Sequence, residues 1–172
     1  MAFRRKTSTT SAWTPRALPF GLLITLIGAW VIVAALIGPS FNFGFFSDKS
    51  WEWSTKQWEL QLIPGMVAVI GGLLLMTPSR GTGSLGALLA FLAGGWLIVC
   101  PVLYPIWASG TANTFGSDSM KALRWVGHFY APGGFLLYFA GYAHGLFARR
   151  TVVQDTTAPE AATTQQRTAT PA

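Results

Sequence analysis

Charge is what this sequence is short of. Of its 172 residues, 12 are Lys or Arg and 6 are Asp or Glu, 10% in all, while 51% are hydrophobic. Soluble domains carry roughly a quarter charged residues. The scarcity is also uneven: residues 17–47, 60–79, 81–117 and 125–148 hold no Lys, Arg, Asp or Glu. Each run is at least as long as the ~20 apolar residues a helix needs to cross a bilayer. Cysteine is scarcer still. Cys100 alone excludes an internal disulfide framework and a cysteine-rich metal site. It precedes Pro101 in an apolar segment with no base nearby, so it reads as a small buried hydrophobe. Without acids in the runs there is no Ser-His-Asp set and no carboxylate relay for protons or ions. The glycines of "RGTGSLG" lack the lysine and preceding strand of a phosphate loop. These absences argue against an enzyme and leave no cofactor or metal to expect.

The fold class they imply is an all-α polytopic membrane protein. Four transmembrane helices are expected near 18–39, 60–77, 84–107 and 125–147, arranged as two tandem hairpins, 18–77 and 84–147. Pro15 and Pro19 suit the start of the first helix, and "TPSRGTGS" reads as a tight turn between the second and third. The first apolar run outlasts a signal-peptide core and meets no small-residue cleavage site, so it is expected to be retained. The formal charge of +6 and pI near 10.0 suggest nucleic acid only superficially. The cations form no recognition stripe but gather at the ends of the apolar runs. Arg4, Arg5, Lys6, Arg16, Arg80, Arg149, Arg150 and Arg167 fall on one side; Lys49, Lys56, Lys121 and Arg124 fall on the other. The more basic side is expected to be cytoplasmic, which puts both termini inside a plasma-membrane protein. Residues 1–17 are then a basic cytoplasmic segment and 148–172, rich in Thr, Ala, Gln and Pro, a disordered cytoplasmic tail.

Two segments align. "LIGAWVIVAALIGP" (26–39) matches "LAGGWLIVCPVLYP" (92–105), pairing Gly28 with Gly94, Trp30 with Trp96 and Pro39 with Pro105. Likewise "LIPGMVAVIGG" (62–72) matches "YAPGGFLLYFAG" (130–141), pairing Pro64-Gly65 with Pro132-Gly133. Either a hairpin has been duplicated, its copies related by an axis along the membrane normal, or low-complexity apolar segments coincide. Trp30 and Trp96 sit too deep for interfacial anchoring. An indole N–H there either bonds across the bundle, to a carbonyl that a proline such as Pro101 releases, or the ring simply fills space. Small residues at spacings of three and four, among them Gly28, Gly65, Gly94, Gly134, Gly141 and Gly145, are expected to let the helices approach closely.

The histidines, His128 and His144, share the fourth helix but lie roughly 24 Å apart along it, too far to hold one ligand. The most unusual exposed feature is the first outer loop, "FNFGFFSDKSWEWSTKQWEL". Its Phe41, Phe43, Phe45, Phe46, Trp51, Trp53 and Trp58 form either an aromatic belt, with a short amphipathic helix at "SWEWSTKQW", or a contact platform for lipid or a protein partner.

At "GGWLIVCPVLYPIW" (94–107) the chain resembles the SPW-repeat membrane proteins, small four-helix bundles of actinobacteria. The matching residues are Gly95, Trp96 and Pro101, with Cys100 in place of Ser and Val102 in place of Trp; the first copy keeps Gly28 and Trp30 without the proline. The resemblance implies the fold and the duplication and brings no catalytic residues. The leading expectation is a non-catalytic accessory subunit whose partners are membrane lipids and other integral membrane proteins of a larger envelope complex, such as a lipid transporter. A small oligomeric transporter or channel, or a haem- or quinone-handling redox subunit, are the alternatives.

Overall fold

The computed structural model describes residues 17–108 and 114–152, with side chains through Phe147. The basic segment before residue 17 and the tail beyond 152 lie outside the described residues. Four long helices account for most of the rest. Helix α1 is Leu18–Ile37, α2 is Thr55–Leu75, α3 is Arg80–Leu103 and α4 spans 118–152. They follow one another around the bundle, and α4 closes the ring against α1. Apolar runs take this form because, in lipid, a helix satisfies its backbone polar groups within itself.

Three segments are long and apolar enough to cross a membrane: Leu18–Phe41, Thr55–Leu75 and Arg80–Ile106. Helix α4 is not among them, because His128, His144, three tyrosines and its glycines dilute its apolar character. The sequence places helix starts too late. α2 begins at Thr55, where the Ser54 hydroxyl accepts the Gln57 N–H at 3.3 Å, and α4 begins at Asp118. Residues 51–54 are therefore not an amphipathic helix, and Glu52 accepts a hydrogen bond from Ser47 rather than pairing with Lys56. The α2–α3 turn is also tighter than "TPSRGTGS", since Arg80–Ser84 already belong to α3.

Two irregularities recur along the chain. Single π turns occupy Trp58–Leu62 in α2 and Val126–Tyr130 in α4, each just before the Pro-Gly pair at 64–65 or 132–133. α1 and α3 each end in a 3₁₀ turn, Gly38–Phe41 and Tyr104–Ile106, that carries Pro39 or Pro105. Pro101, inside α3, leaves that helix continuous to Leu103.

Glycines set the packing distance. A methyl group on Gly28 would lie 2.9 Å from the Gly65 carbonyl, and one on Gly94 would lie 2.8 Å from the Gly133 carbonyl. Around these crossings sit Ile24, Ala68, Ala90, Leu97, Leu136 and Ala140, all inaccessible to solvent. Gly134, Gly141 and Gly145 depart from expectation. A methyl group on any of them would meet nothing within 4 Å among the described residues, so they do not pack the bundle. The inward stripe of α4 is instead Gly133, Leu136, Ala140 and Ala143. The perimeter is apolar, with Leu26, Ile70, Leu92 and Phe135 half-exposed.

Gly94→Ala should cost about 1–3 kcal/mol through forced separation of α3 and α4, whereas the neighbouring Gly95→Ala, with open space around it, should be neutral or slightly stabilising. Thermal unfolding in detergent compares the two directly.

Candidate functional site

The π turns create one orphan acceptor each. In α2 the Ile63 N–H bonds to the Trp58 carbonyl, a register that assigns the next carbonyl, that of Glu59, to residue 64. Residue 64 is proline and has no N–H to give. In α4 the Ala131 N–H bonds to Val126, which leaves the Gly127 carbonyl facing Pro132 in the same way. Both vacancies are filled from a distance. The Trp96 indole N–H donates to the Glu59 carbonyl at 2.9 Å, and the Trp30 indole N–H donates to the Gly127 carbonyl at 3.4 Å. Each tryptophan thus leaves its own hairpin and stitches α3 to α2, or α1 to α4. Of the two readings the sequence leaves open, a bond across the bundle or a space-filling ring, the structure has the bond to a proline-released carbonyl. The prolines are Pro64 and Pro132, not Pro101, and the rings are not buried: Trp30 is 51% and Trp96 44% exposed on the perimeter.

Beside the Trp30–Gly127 bond lies a polar centre that the apolar runs conceal. Arg124 is 1% exposed. Its Nη1 donates to the Phe115 carbonyl at 2.5 Å, and its Nη2 donates to the Asn42 carbonyl at 2.9 Å and side-chain Oδ1 at 3.2 Å. Asn42 is held at φ 56°, a left-handed conformation that Asn tolerates better than most residues. Carbonyls at the end of a helix carry partial negative charge, so a guanidinium is a favourable partner there. His128, one turn further along α4, is equally enclosed; its Nδ1 lies 3.2 Å from the Arg124 carbonyl and its ring stacks on Phe43 at 4.6 Å. Gln57 is also buried and donates to the Ala35 carbonyl near the end of α1.

This centre divides the aromatic loop. Phe45 is 3% exposed and packs edge-on against Trp125 and Phe129, with Phe46 beside it; Phe43 covers His128. Those three phenylalanines cap this end of the bundle. Phe41, Trp51, Trp53 and Trp58 face outward, the last two with rings 5.4 Å apart. Trp51 adopts φ 61°, strained for a bulky residue, while its backbone N–H bonds to the Leu36 carbonyl at 3.1 Å. The two histidines occupy different surroundings: His144 is exposed, with Ser84 at 3.5 Å, and Cys100 is buried in α3.

Sequence reasoning took Arg124 only as a flanking cation, left Gly133 out of the packing stripe and passed over Gln57. The alignment of Pro132-Gly133 with Pro64-Gly65 held the signal for Gly133. No family model, no curated protein and no solved structure matches this chain.

Trp96→Phe keeps the ring and removes the donor, so it should cost about 0.5–2 kcal/mol in unfolding free energy. Trp30→Phe, whose bond is longer, should cost less, and the double variant should show the sum. Arg124→Met should cost about 2 kcal/mol or more by leaving carbonyls at Phe115 and Asn42 unpaired. Limited proteolysis should then cut the 42–54 segment, which the wild type protects.

Proposed function

We propose that the chain is a four-pass plasma-membrane protein, built from a duplicated helical hairpin, that serves as a non-catalytic accessory subunit of a larger envelope assembly. Helix α4 crosses the bilayer with the other three, since it packs alongside α1 and α3 and shares their apolar perimeter. Both termini are then cytoplasmic, on the side richer in Lys and Arg. The matching π turns, 3₁₀ ends, glycine crossings and tryptophan bonds support a duplication, and the resemblance to the SPW-repeat proteins belongs to the same reading.

The observation that carries the subunit reading is the open glycine row of α4. Around Gly134, Gly141 and Gly145 there is room for an added methyl group with no neighbour within 4 Å among the described residues, and Tyr138 beside them is 65% exposed. In lipid, a surface of small residues lets a second helix approach closely, and a tyrosine can hydrogen-bond across the contact. The outward Phe41, Trp51, Trp53 and Trp58 add an aromatic surface at the extracellular edge. The interior, by contrast, is filled by Ile24, Leu97, Leu136 and alanines, which favours a docking role over a conduit between the hairpins.

Solubilised from native membranes in mild detergent, the wild type should migrate in an assembly larger than a homodimer and carry other integral membrane proteins with it. Gly141→Leu should release the lone chain with its melting temperature unchanged. A wild type that runs only as a monomer or homodimer contradicts the proposal.

A further inference from the structure

The apolar segments of α1, α2 and α3 each reach the same end of the bundle at an exposed ring. Phe41 closes Leu18–Phe41, Trp58 stands three residues after the start of Thr55–Leu75, and Trp107 follows directly on Arg80–Ile106. On α4, Trp125 and the exposed Tyr130 flank the π turn that matches the one Trp58 begins, with ring centroids 5.9 Å apart. Aromatic rings therefore lie on all four helices at this level instead of gathering on one side. The segment between Phe41 and Trp58 adds more rings and fixes them in place. The Trp51 N–H donates to the Leu36 carbonyl at 3.1 Å, which pins it beside the end of α1. The Ser40 and Ser50 hydroxyls hydrogen-bond to each other just before Phe41 and Trp51, and Trp53 meets Trp58 at 5.4 Å. Yet Phe41 is 78% and Trp51 60% exposed, and Trp51 sits at φ 61°. The fold holds a strained backbone there and buries little of the ring in return.

We infer that this girdle docks on a lipid surface, the headgroup–acyl boundary of the outer leaflet, so that the 41–58 loop lies in the membrane plane and does not project from it. Depth, distribution and charge all favour lipid as the occupant. The rings stand where the apolar segments end, the level at which an indole keeps its N–H wet and its body in hydrocarbon. They are spread over all four helices, as a surrounding bilayer requires, whereas a protein partner covers one patch. Further along the helices the exposed Val33, Ile63 and Met66 continue the same surface toward mid-membrane. Asp48, Lys49 and Glu52 stand exposed among the rings. A headgroup layer solvates such mixed charges, but the core of a protein interface is depleted of them. Of the surfaces described above, this leaves the outward glycine face of α4 for a partner.

The inference rests on the bundle crossing the bilayer, as proposed above, but not on any partner protein, and the full-length chain tests it. Labelled with 5-fluorotryptophan and placed in phosphatidylcholine nanodiscs, the chain gives a ¹⁹F resonance for each tryptophan, assigned through Trp→Phe variants. Broadening is compared between lipid carrying a nitroxide near the headgroup, lipid carrying it at the end of the acyl chain, and a water-soluble gadolinium chelate. Trp51, Trp53, Trp58 and Trp107 should broaden most with the nitroxide near the headgroup. Trp30 and Trp96, near the middle of their apolar segments and exposed on the perimeter, should broaden most with the chain-end nitroxide. Trp51 and Trp53 broadened by the chelate and by neither lipid overturn the inference, because the loop then stands in water where a protein can meet it. Strongest broadening of Trp51 by the chain-end nitroxide overturns it too. Trp30 and Trp96 separate this failure from that of the spanning bundle, since only the latter leaves them untouched by both lipids. Trp51→Gly removes the ring at a φ that glycine adopts freely. It should leave the melting temperature in detergent unchanged or raised, and a fall would assign the ring to the fold instead.

Discussion

A proline inside an apolar helix releases a carbonyl that lipid cannot hydrogen-bond, and this structure is organised around two such groups. An unsatisfied backbone polar group in the bilayer core costs several kcal/mol. Here Pro64 and Pro132, combined with π turns, leave the carbonyls of Glu59 and Gly127 open, and Trp96 and Trp30 supply the missing donors. A tryptophan is well matched to the task. Its indole has one N–H to give and an otherwise apolar body that lipid tolerates on the perimeter. Each hairpin therefore depends on the other to complete its backbone hydrogen bonding. Close glycine contacts then set the distance within each hairpin, Gly28 on Gly65 and Gly94 on Gly133.

The two halves of the bundle depart from this regularity in different ways. Phenylalanines at 20 and 139 meet across one seam at the positions that glycines 71 and 86 hold in the other. Arg124 gathers the ends of two loops beneath Phe43, Phe45 and Phe46, whereas Lys56 near the start of α2 lies over the exterior of the Tyr104 ring at 5.8 Å. One hairpin junction thus carries an enclosed cationic cap, and the other a looser cation–aromatic contact. The outward glycine row on α4 meets no other helix among the described residues.

Much of the helical architecture was legible because it depends on charge, and charge is read without ambiguity. Runs free of Asp, Glu, Lys and Arg marked the apolar core of every helix. Their starts were not legible, since α2 and α4 begin in polar stretches, at Thr55 and Asp118, that an apolar-run criterion discards. The π turns escaped because a helix that widens by one residue ahead of a Pro-Gly pair has the same apolar composition as one that stays in α register. Glycine spacing identified the crossings on α1 to α3 but chose the wrong face of α4. Gly134, Gly141 and Gly145 and the true stripe through Gly133 and Ala140 both satisfy helical periodicity, and periodicity alone does not say which faces a neighbour. In the aromatic loop, composition could not separate inward Phe45 from outward Trp51, because that division is made by Arg124 and His128, remote in sequence.

The reciprocal tryptophan bonds are the claim to test first. Rotational-echo solid-state NMR on the chain reconstituted in lipid, with ¹⁵N in the tryptophan indoles and ¹³C in the glutamate carbonyls, reads the Trp96–Glu59 contact directly. The account predicts a dipolar coupling matching a 2.9 Å hydrogen bond, present in the wild type and lost in Trp96→Phe. A wild-type spectrum with no indole–carbonyl coupling would contradict it.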